Sequence, residues 1–297
     1  MKPLLALLIA FGFAGIVEAS QDIDEGADAD PRGQVEVSNT SGDVTVRGWD
    51  RDRIEVTGTL GRGAERLDFV RDRKHTLIKV VLREAARNIS GSDLDIRIPQ
   101  ASGLTVTGVS ADITVENVKG IQSLQTVSGD IDAMVFEADL EAKTVSGDVD
   151  VQGRRNSTLV TVMTVSGDVE ITDIGGEVEA SAVSGDLTIE AGVLTRVRLR
   201  TTNGDITVQG AVEKGGRLDA ETVNGDVEVM LADASNVELD IETFNGDIDH
   251  CFDARVERKS RYGPGRELRL SRGDADRTVR VKAFNGDVEI CALVDER

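Results

Sequence analysis

The side chains that could do chemistry are acidic and periodic. A Ser/Asn-Gly-Asp triplet places Asp at 43, 130, 148, 168, 186, 205, 226, 247 and 287, with Asp112 in the variant Ser110-Ala111-Asp112. Two positions later stand Asp132, Asp150, Glu170, Glu228, Asp249 and Glu289, so Asp-x-Asp/Glu recurs along one edge. Closely spaced ligands offering only oxygen suit a hard cation, Ca²⁺ before others. The candidate cation ladder is Asp130, Asp132, Asp148, Asp150, Asp168, Glu170, Asp226, Glu228, Asp247 and Asp249. Without a cation, the same pattern is a solvated acidic edge whose Asp carboxylates bond backbone at the turns. The Ca²⁺-binding nonapeptide repeat of parallel β-helices carries several Gly per unit, and this repeat does not. The expectation is therefore no metal site and no cofactor, with Ca²⁺ as the one exception the pattern would suit.

Other chemistry is sparse. There are two His and two Cys. His250 falls at an inward strand position, where a satisfied core His is expected, and His75 has no evident partner. Two such His support no Ser-His-Asp arrangement. Nothing among the 54 acids singles out a glycosidase pair. Cys251 and Cys291 share one phase, each five residues after a motif Gly. In adjacent coils their Cα atoms would lie ~5 Å apart and could bridge; with a coil between them, ~10 Å, they could not. Pairing is expected, which requires 252–285 to loop out between neighbouring coils. Arg272-Gly273-Asp274 is out of phase with the repeat and reads as chance.

The elements that position these groups come from the repeat. From 111 to 246 the corner recurs in steps of 18, 18, 20, 18, 19, 21 and 21 residues. Two and four residues after the Gly stand aliphatic side chains, such as Val149 and Val151 or Ile206 and Val208, with Thr, Asp or Glu between. That is the period-two pattern of a strand with one buried face. A second alternating strand precedes the corner, as in Leu140-x-Ala142-x-Thr144. Stacked two-strand units predict an all-β, single-domain β-solenoid, parallel β-helix-like, of about 18–21 residues per coil. An antiparallel sandwich would call for alternating turn types instead.

The expected organisation is a signal peptide over 1–19, a disordered mature start over 20–33 and a β-solenoid domain over 34–297. Within the domain, 34–111 reads as an irregular opening section, 112–250 as regular coils and 251–297 as a carboxy-terminal section with an inserted turn or hairpin. A helical turn or two is expected at 65–73 or 84–88. Lys2, the apolar run Leu4 to Val17 and Val17-Glu18-Ala19 form the export pattern, too short to span a bilayer. The destination is the periplasm or the cell surface. The net charge of −20 argues against nucleic-acid and anionic-membrane partners. Aromatics are 3%, so the core must be built from small aliphatic side chains.

The phrases Thr-Val-Ser-Gly-Asp-Val and Thr-Phe-Asn-Gly-Asp-Ile, with Gly48-Trp49-Asp50, Glu65-Arg66-Leu67, Tyr262-Gly263-Pro264-Gly265 and the closing Phe284-Asn285-Gly286-Asp287-Val288, resemble a bacterial "putative adhesin" family of unknown function. The resemblance runs from about Gln34 to Cys291. It implies an exported β-strand-repeat protein and brings no catalytic residues. The expected function is a non-enzymatic structural or adhesin-like module of the bacterial cell envelope, with a protein or glycan partner; the acidic edge favours cationic ones. The alternatives are an envelope polysaccharide enzyme with carboxylates in a cleft beside 62–74 or 255–275, and a calcium-binding surface repeat protein.

Overall fold

The computed structural model describes residues 21–293 apart from 73, 85–88, 155–156 and 260–263. The expected leader over 1–19 lies outside the described residues. Among the described residues every regular element is a strand.

Each repeat folds as one rung: a leading strand, the Ser/Asn-Gly-Asp corner, a trailing strand and a return. Rungs stack in parallel and in register. Val149 sits between Ile131 and Val169, and Ala142 between Leu124 and Val162. The alternating pattern explains the packing. Inward columns are aliphatic and buried, such as Ile131, Val149, Val169, Leu187 and Ile206, and each fully buried side chain contributes roughly 1.5–3 kcal/mol. The slot between leading and trailing strands is filled mainly by Val, Ile, Leu and Ala from both sides.

Coil-after-coil stacking holds only for the middle of the chain. At the amino end, Gln34–Trp49 carries the first corner. Its outer neighbour is the next rung in sequence, His75–Leu82 with Asp93–Pro99, and its inner neighbour is Gly103–Glu116. At the carboxy end, the last rung, Arg277–Asn285 with Val288–Ala292, inserts between two earlier ones. It pairs on one side with 217–231 and on the other with Val237–Asn245 and Ile248–His250. The simple solenoid expected is thus a strand stack permuted at both ends.

Charge explains the insertion. The outward residues of successive leading strands are Arg198 and Arg200, Asp219 and Glu221, Asp240 and Glu242, then Arg280 and Lys282. In sequence order two acidic strands would lie side by side. With the last rung inserted, signs alternate, and Asp219 and Glu221 lie opposite Arg280 and Lys282, which lie opposite Asp240 and Glu242. Cross-strand charge pairs are worth about 0.2–1 kcal/mol each. The trailing strands do not decide the order, because Glu228, Glu289 and Asp249 are all acidic.

Antiparallel strands close both ends. Ala64–Asp72 covers His75–Leu82, while Arg53–Leu60 covers Asp93–Pro99 and carries Gln21–Asp28 outside it. At the other end Arg266–Ser271 lies antiparallel on Val237–Asn245, and the short strand Glu257–Arg258 lies outside it. Charged or short edge strands limit pairing with other chains. Three expectations are corrected here. Gln21–Asp28 is a strand, not a disordered start, because it adds to an open sheet edge. Residues 34–111 contain regular rungs, Gln34–Trp49 and His75–Leu82 with Asp93–Pro99, stacked in register on Gly103–Glu116, beside the antiparallel strands that cap this end; Ser41-Gly42-Asp43 keeps the full motif, and the corners at 90–93 and 110–112 depart from it. Residues 65–72 are strand, not helix, because period-two pairing with His75–Leu82 outweighs their charge pattern. Of the expected turn at 84–88, residues 85–88 lie outside the described residues.

Candidate interaction edge

Each corner residue has one task, repeated rung after rung. The Thr three residues before the Gly points inward, and its hydroxyl donates to the corner carbonyl of the neighbouring rung. Thr222 bonds Gly204 at 3.1 Å and Thr243 bonds Gly286 at 2.8 Å. The Ser or Asn holds the rungs by backbone bridging, as Ser146 does with Ser128 and Ser166. Where it is Asn, side-chain amides form a ladder: Asn224 donates to Asn203 at 2.9 Å, Asn285 to Asn224 at 2.8 Å and Asn245 to Asn285 at 2.8 Å. At the Gly, a Cβ would collide with the corner carbonyl of the rung below, as at Gly167 against Gly147; close approach therefore demands Gly.

The Asp carboxylates bond across rungs. Asp130 Oδ1 accepts the backbone N–H of Asp148 at 2.8 Å, Asp148 accepts that of Asp168 at 2.8 Å, and Asp168 that of Asp186 at 2.8 Å. The chain of bonds follows spatial order through the inserted rung: Asp226 Oδ1 accepts from Asp287, and Asp287 Oδ1 from Asp247, each at 2.7 Å. Asp93, outside the motif, joins by accepting from Asp43 at 3.2 Å. An anionic acceptor makes these hydrogen bonds strong. Four expected cation ligands, Asp130, Asp148, Asp168 and Asp226, thus commit one oxygen to backbone, as do Asp186 and Asp205 beside them; Asp247 pairs with Arg266.

The second acidic column lies on the outer trailing face. Asp132, Asp150 and Glu170 occupy adjacent rungs, and Glu228, Glu289 and Asp249 form another triplet. Partial burial pushes the Asp132 carboxyl above the usual carboxylate range, aided by the charges of Asp150, Asp130 and Asp112. Asp150 is raised by burial and then by Glu170. Asp233 moves the other way, held down first by the backbone N–H of Ser235, which donates to it at 2.9 Å. Among the described residues, one group of acids brings its oxygens within 4.8 Å of one another: Asp240, Glu242 and Glu267. It was not legible in the repeat, since Glu267 comes from the end hairpin and lies opposite Glu242. Protein cations attend it already. Arg280 bonds Asp240 at 3.1 Å and Lys259 bonds Glu242 at 2.6 Å.

Cys251 and Cys291 form a disulfide with Cα atoms 5.1 Å apart. The inserted rung makes their coils adjacent, as pairing requires. His250 Nδ1 accepts from the backbone N–H of Phe252 at 3.3 Å. His75, read as partnerless, faces Glu36 at 3.4 Å across the rung. Arg272-Gly273-Asp274 forms the turn after Arg266–Ser271.

One feature of the corner escaped the sequence reading. The residue two before the Gly points outward and is apolar: Val109, Val127, Val145, Val165, Val183, Val223, Phe284 and Phe244, each 44–50% exposed. Between Val109 and Phe244 Thr202 alone interrupts this column, and Thr40 holds the same place at the first corner. Phe284 and Phe244 stack with centroids 4.8 Å apart and planes at 9°. They floor a groove of about 720 Å³, walled by Val223, Lys282, Lys259 and the Pro264-Gly265 hairpin tip. Its acids, Glu221 and Glu242, are engaged by Arg200 and Lys259. Asp132, Asp150 and Asp233, the acids with displaced pKa, do not line it.

These observations define a class: an all-β strand-repeat protein with one motif-built edge. The chain belongs to the Toastrack DUF4097 family, whose model matches residues 28–191 and 137–291. Crystal structures of similar fold include a "putative adhesin" from Parabacteroides distasonis ATCC 8503, at 12% identity and TM-score 0.53, covering 91% of this chain and 97% of that one. A "putative adhesin" from Parabacteroides merdae ATCC 43184 gives 12% identity and TM-score 0.51, covering 92% and 97%. A "putative lipid binding protein" from Parabacteroides distasonis ATCC 8503 gives 8% identity and TM-score 0.50, covering 91% and 96%. At these identities the likeness is one of fold. No curated protein matches the chain. Among the described residues no helix is long and apolar enough to cross a membrane.

Proposed function

We propose that this protein is an exported, non-enzymatic β-solenoid that serves as an adhesin-like interaction module of the bacterial cell envelope. The observation that carries this reading is the commitment of the repeated polar groups to structure. The corner Thr, Asn and Asp side chains bond neighbouring rungs, so the repeat builds a rigid ladder surface. Such surfaces present the same side chain at fixed spacing, which suits binding an extended partner. The groove is an open trough whose two acids sit in ion pairs, which favours binding over acid-base catalysis. Export rests on the amino-terminal apolar run and adhesion on the names of the structural relatives.

The test uses labelled mature protein, residues 20–297, incubated with intact bacterial cells and with washed envelope fractions. Saturable retention without release of sugar fragments is expected. Steady release of polysaccharide fragments, abolished by changing Glu221 and Glu242 to Gln, would establish the enzyme reading in its place.

A further inference from the structure

We propose that the corner edge is a docking track for a basic amphipathic helix. This deepens the interaction-module reading and rests on it. The track is the apolar column from Val109 to Phe244. Nine rungs at ~4.8 Å give it a length of about 40 Å. Strand propensity alone does not explain it. A β-branched residue is favoured at an exposed strand position, but Thr meets that need as well as Val. The chain uses Thr at outward trailing positions such as Thr188 and Thr207, yet between Val109 and Phe244 the corner column uses it once, at Thr202. The column also widens to a stacked Phe pair at one end, floored into a groove that could seat a large apolar anchor.

Charge selects the occupant. Three residues beyond each apolar side chain stands an exposed corner Asp, so the track is bordered by an unbroken acidic column from Asp112 to Asp247. Those carboxylates accept a backbone N–H on Oδ1, apart from the last, Asp247, which pairs with Arg266, and all are exposed. A partner must therefore bring apolar groups flanked by cations. A second copy of this chain is disfavoured, because pairing two corner edges would set acidic column against acidic column. Spacing selects the secondary structure. The 5.4 Å helix pitch lies near the ~4.8 Å rung repeat, whereas same-side residues of an extended chain lie about 6.8 Å apart.

The experiment is fluorescence anisotropy with three labelled 18-residue helical peptides: Leu/Lys with an apolar Leu face, Ala/Lys with the same charges, and Leu/Glu. The Leu/Lys peptide is expected to bind, to weaken steeply between low and physiological salt, and to bind at least tenfold more tightly than Ala/Lys; Leu/Glu is expected not to bind. The triple variant V145T/V165T/V183T keeps β-branching at exposed sites. Its unfolding midpoint should match the parent and its Leu/Lys affinity should fall at least fivefold. Equal binding of Ala/Lys, an unchanged affinity in the triple variant, or no Leu/Lys binding at 100 μM peptide would each overturn the track. Self-association of the parent that the triple variant abolishes, seen by sedimentation velocity, would overturn it in favour of a second copy. Envelope retention of the triple variant separates the two levels. Retention with lost peptide affinity supports the track only for helical partners and leaves the module reading standing, whereas failure of the parent itself to be retained removes the module reading.

Discussion

Asp168 takes the backbone N–H of Asp186 on one oxygen, and the consequence is local and measurable. Removing the acceptor takes away a hydrogen bond at an exposed corner, which costs about 0.5–1.5 kcal/mol. Asp168→Ala should therefore lower the thermal midpoint by roughly 1–4 °C. Asp168→Asn keeps a carbonyl oxygen in the same place and should lose less than half as much, as differential scanning calorimetry would show. Asp132 and Asp150 behave oppositely. Their folded pKa is raised, first by burial, so the folded state binds protons more readily than the unfolded one. Stability from this source is present while both are protonated and is lost as pH rises through their folded pKa. D132N/D150N should thus raise the midpoint at pH 7 by roughly 1–3 °C. The gain should vanish as pH falls below the ordinary carboxylate range. A variant no more stable than the parent at pH 7 would contradict the upward shift of these two carboxyls.

The element that decides the carboxy-terminal half is the inserted rung, Arg277–Asn285 with Val288–Ala292. Its Arg280 and Lys282 separate two acidic strands. R280D/K282E should restore like-charge neighbours on both sides and destabilise the rung by about 1–4 kcal/mol, taking the four pairs at their usual worth. Hydrogen exchange should show faster opening of 237–250 and 277–292 with the middle rungs unchanged. Adding D240R/E242K should return much of the protection, an outcome that a general packing defect would not produce. The Cys251–Cys291 disulfide ties the same two rungs across 40 residues. Reduction should remove about 2–4 kcal/mol of chain-entropy stabilisation, and protection should again fall at the carboxy-terminal rungs before elsewhere. Uniform loss along the whole stack would show that the end rungs do not open separately.

Over the whole molecule, the corners make one continuous hydrogen-bonded spine, and that spine bears on metal binding. Since corner carboxylates are already held by amides, Ca²⁺ should raise the unfolding midpoint no more than Mg²⁺ at matched ionic strength. A Ca²⁺-specific rise of several degrees would return the acidic columns to the status of ligands. The strand pattern, the corner and the phase of the two cysteines were legible in the sequence, because period two and a fixed Gly are local requirements of an extended chain and a tight corner. The Asp-to-amide bonds were not, because they join residues 18–61 positions apart whose pairing depends on which rungs touch. The exposed Val column was hidden for a related reason: an apolar residue beside a corner Ser does not declare which way it faces until the backbone turns. Asp93 and the rung it belongs to were missed because Ser90-Gly91-Ser92-Asp93 carries an extra residue that only pairing with Gln34–Trp49 aligns. The sequence by itself determined the repeat unit, the buried columns and the acidic edge, since each follows from short-range sterics and solvation. Only the tertiary structure decided the order of the rungs, because neighbours in a stack are chosen by long-range complementarity of charge and register, and the chain need not visit them in turn.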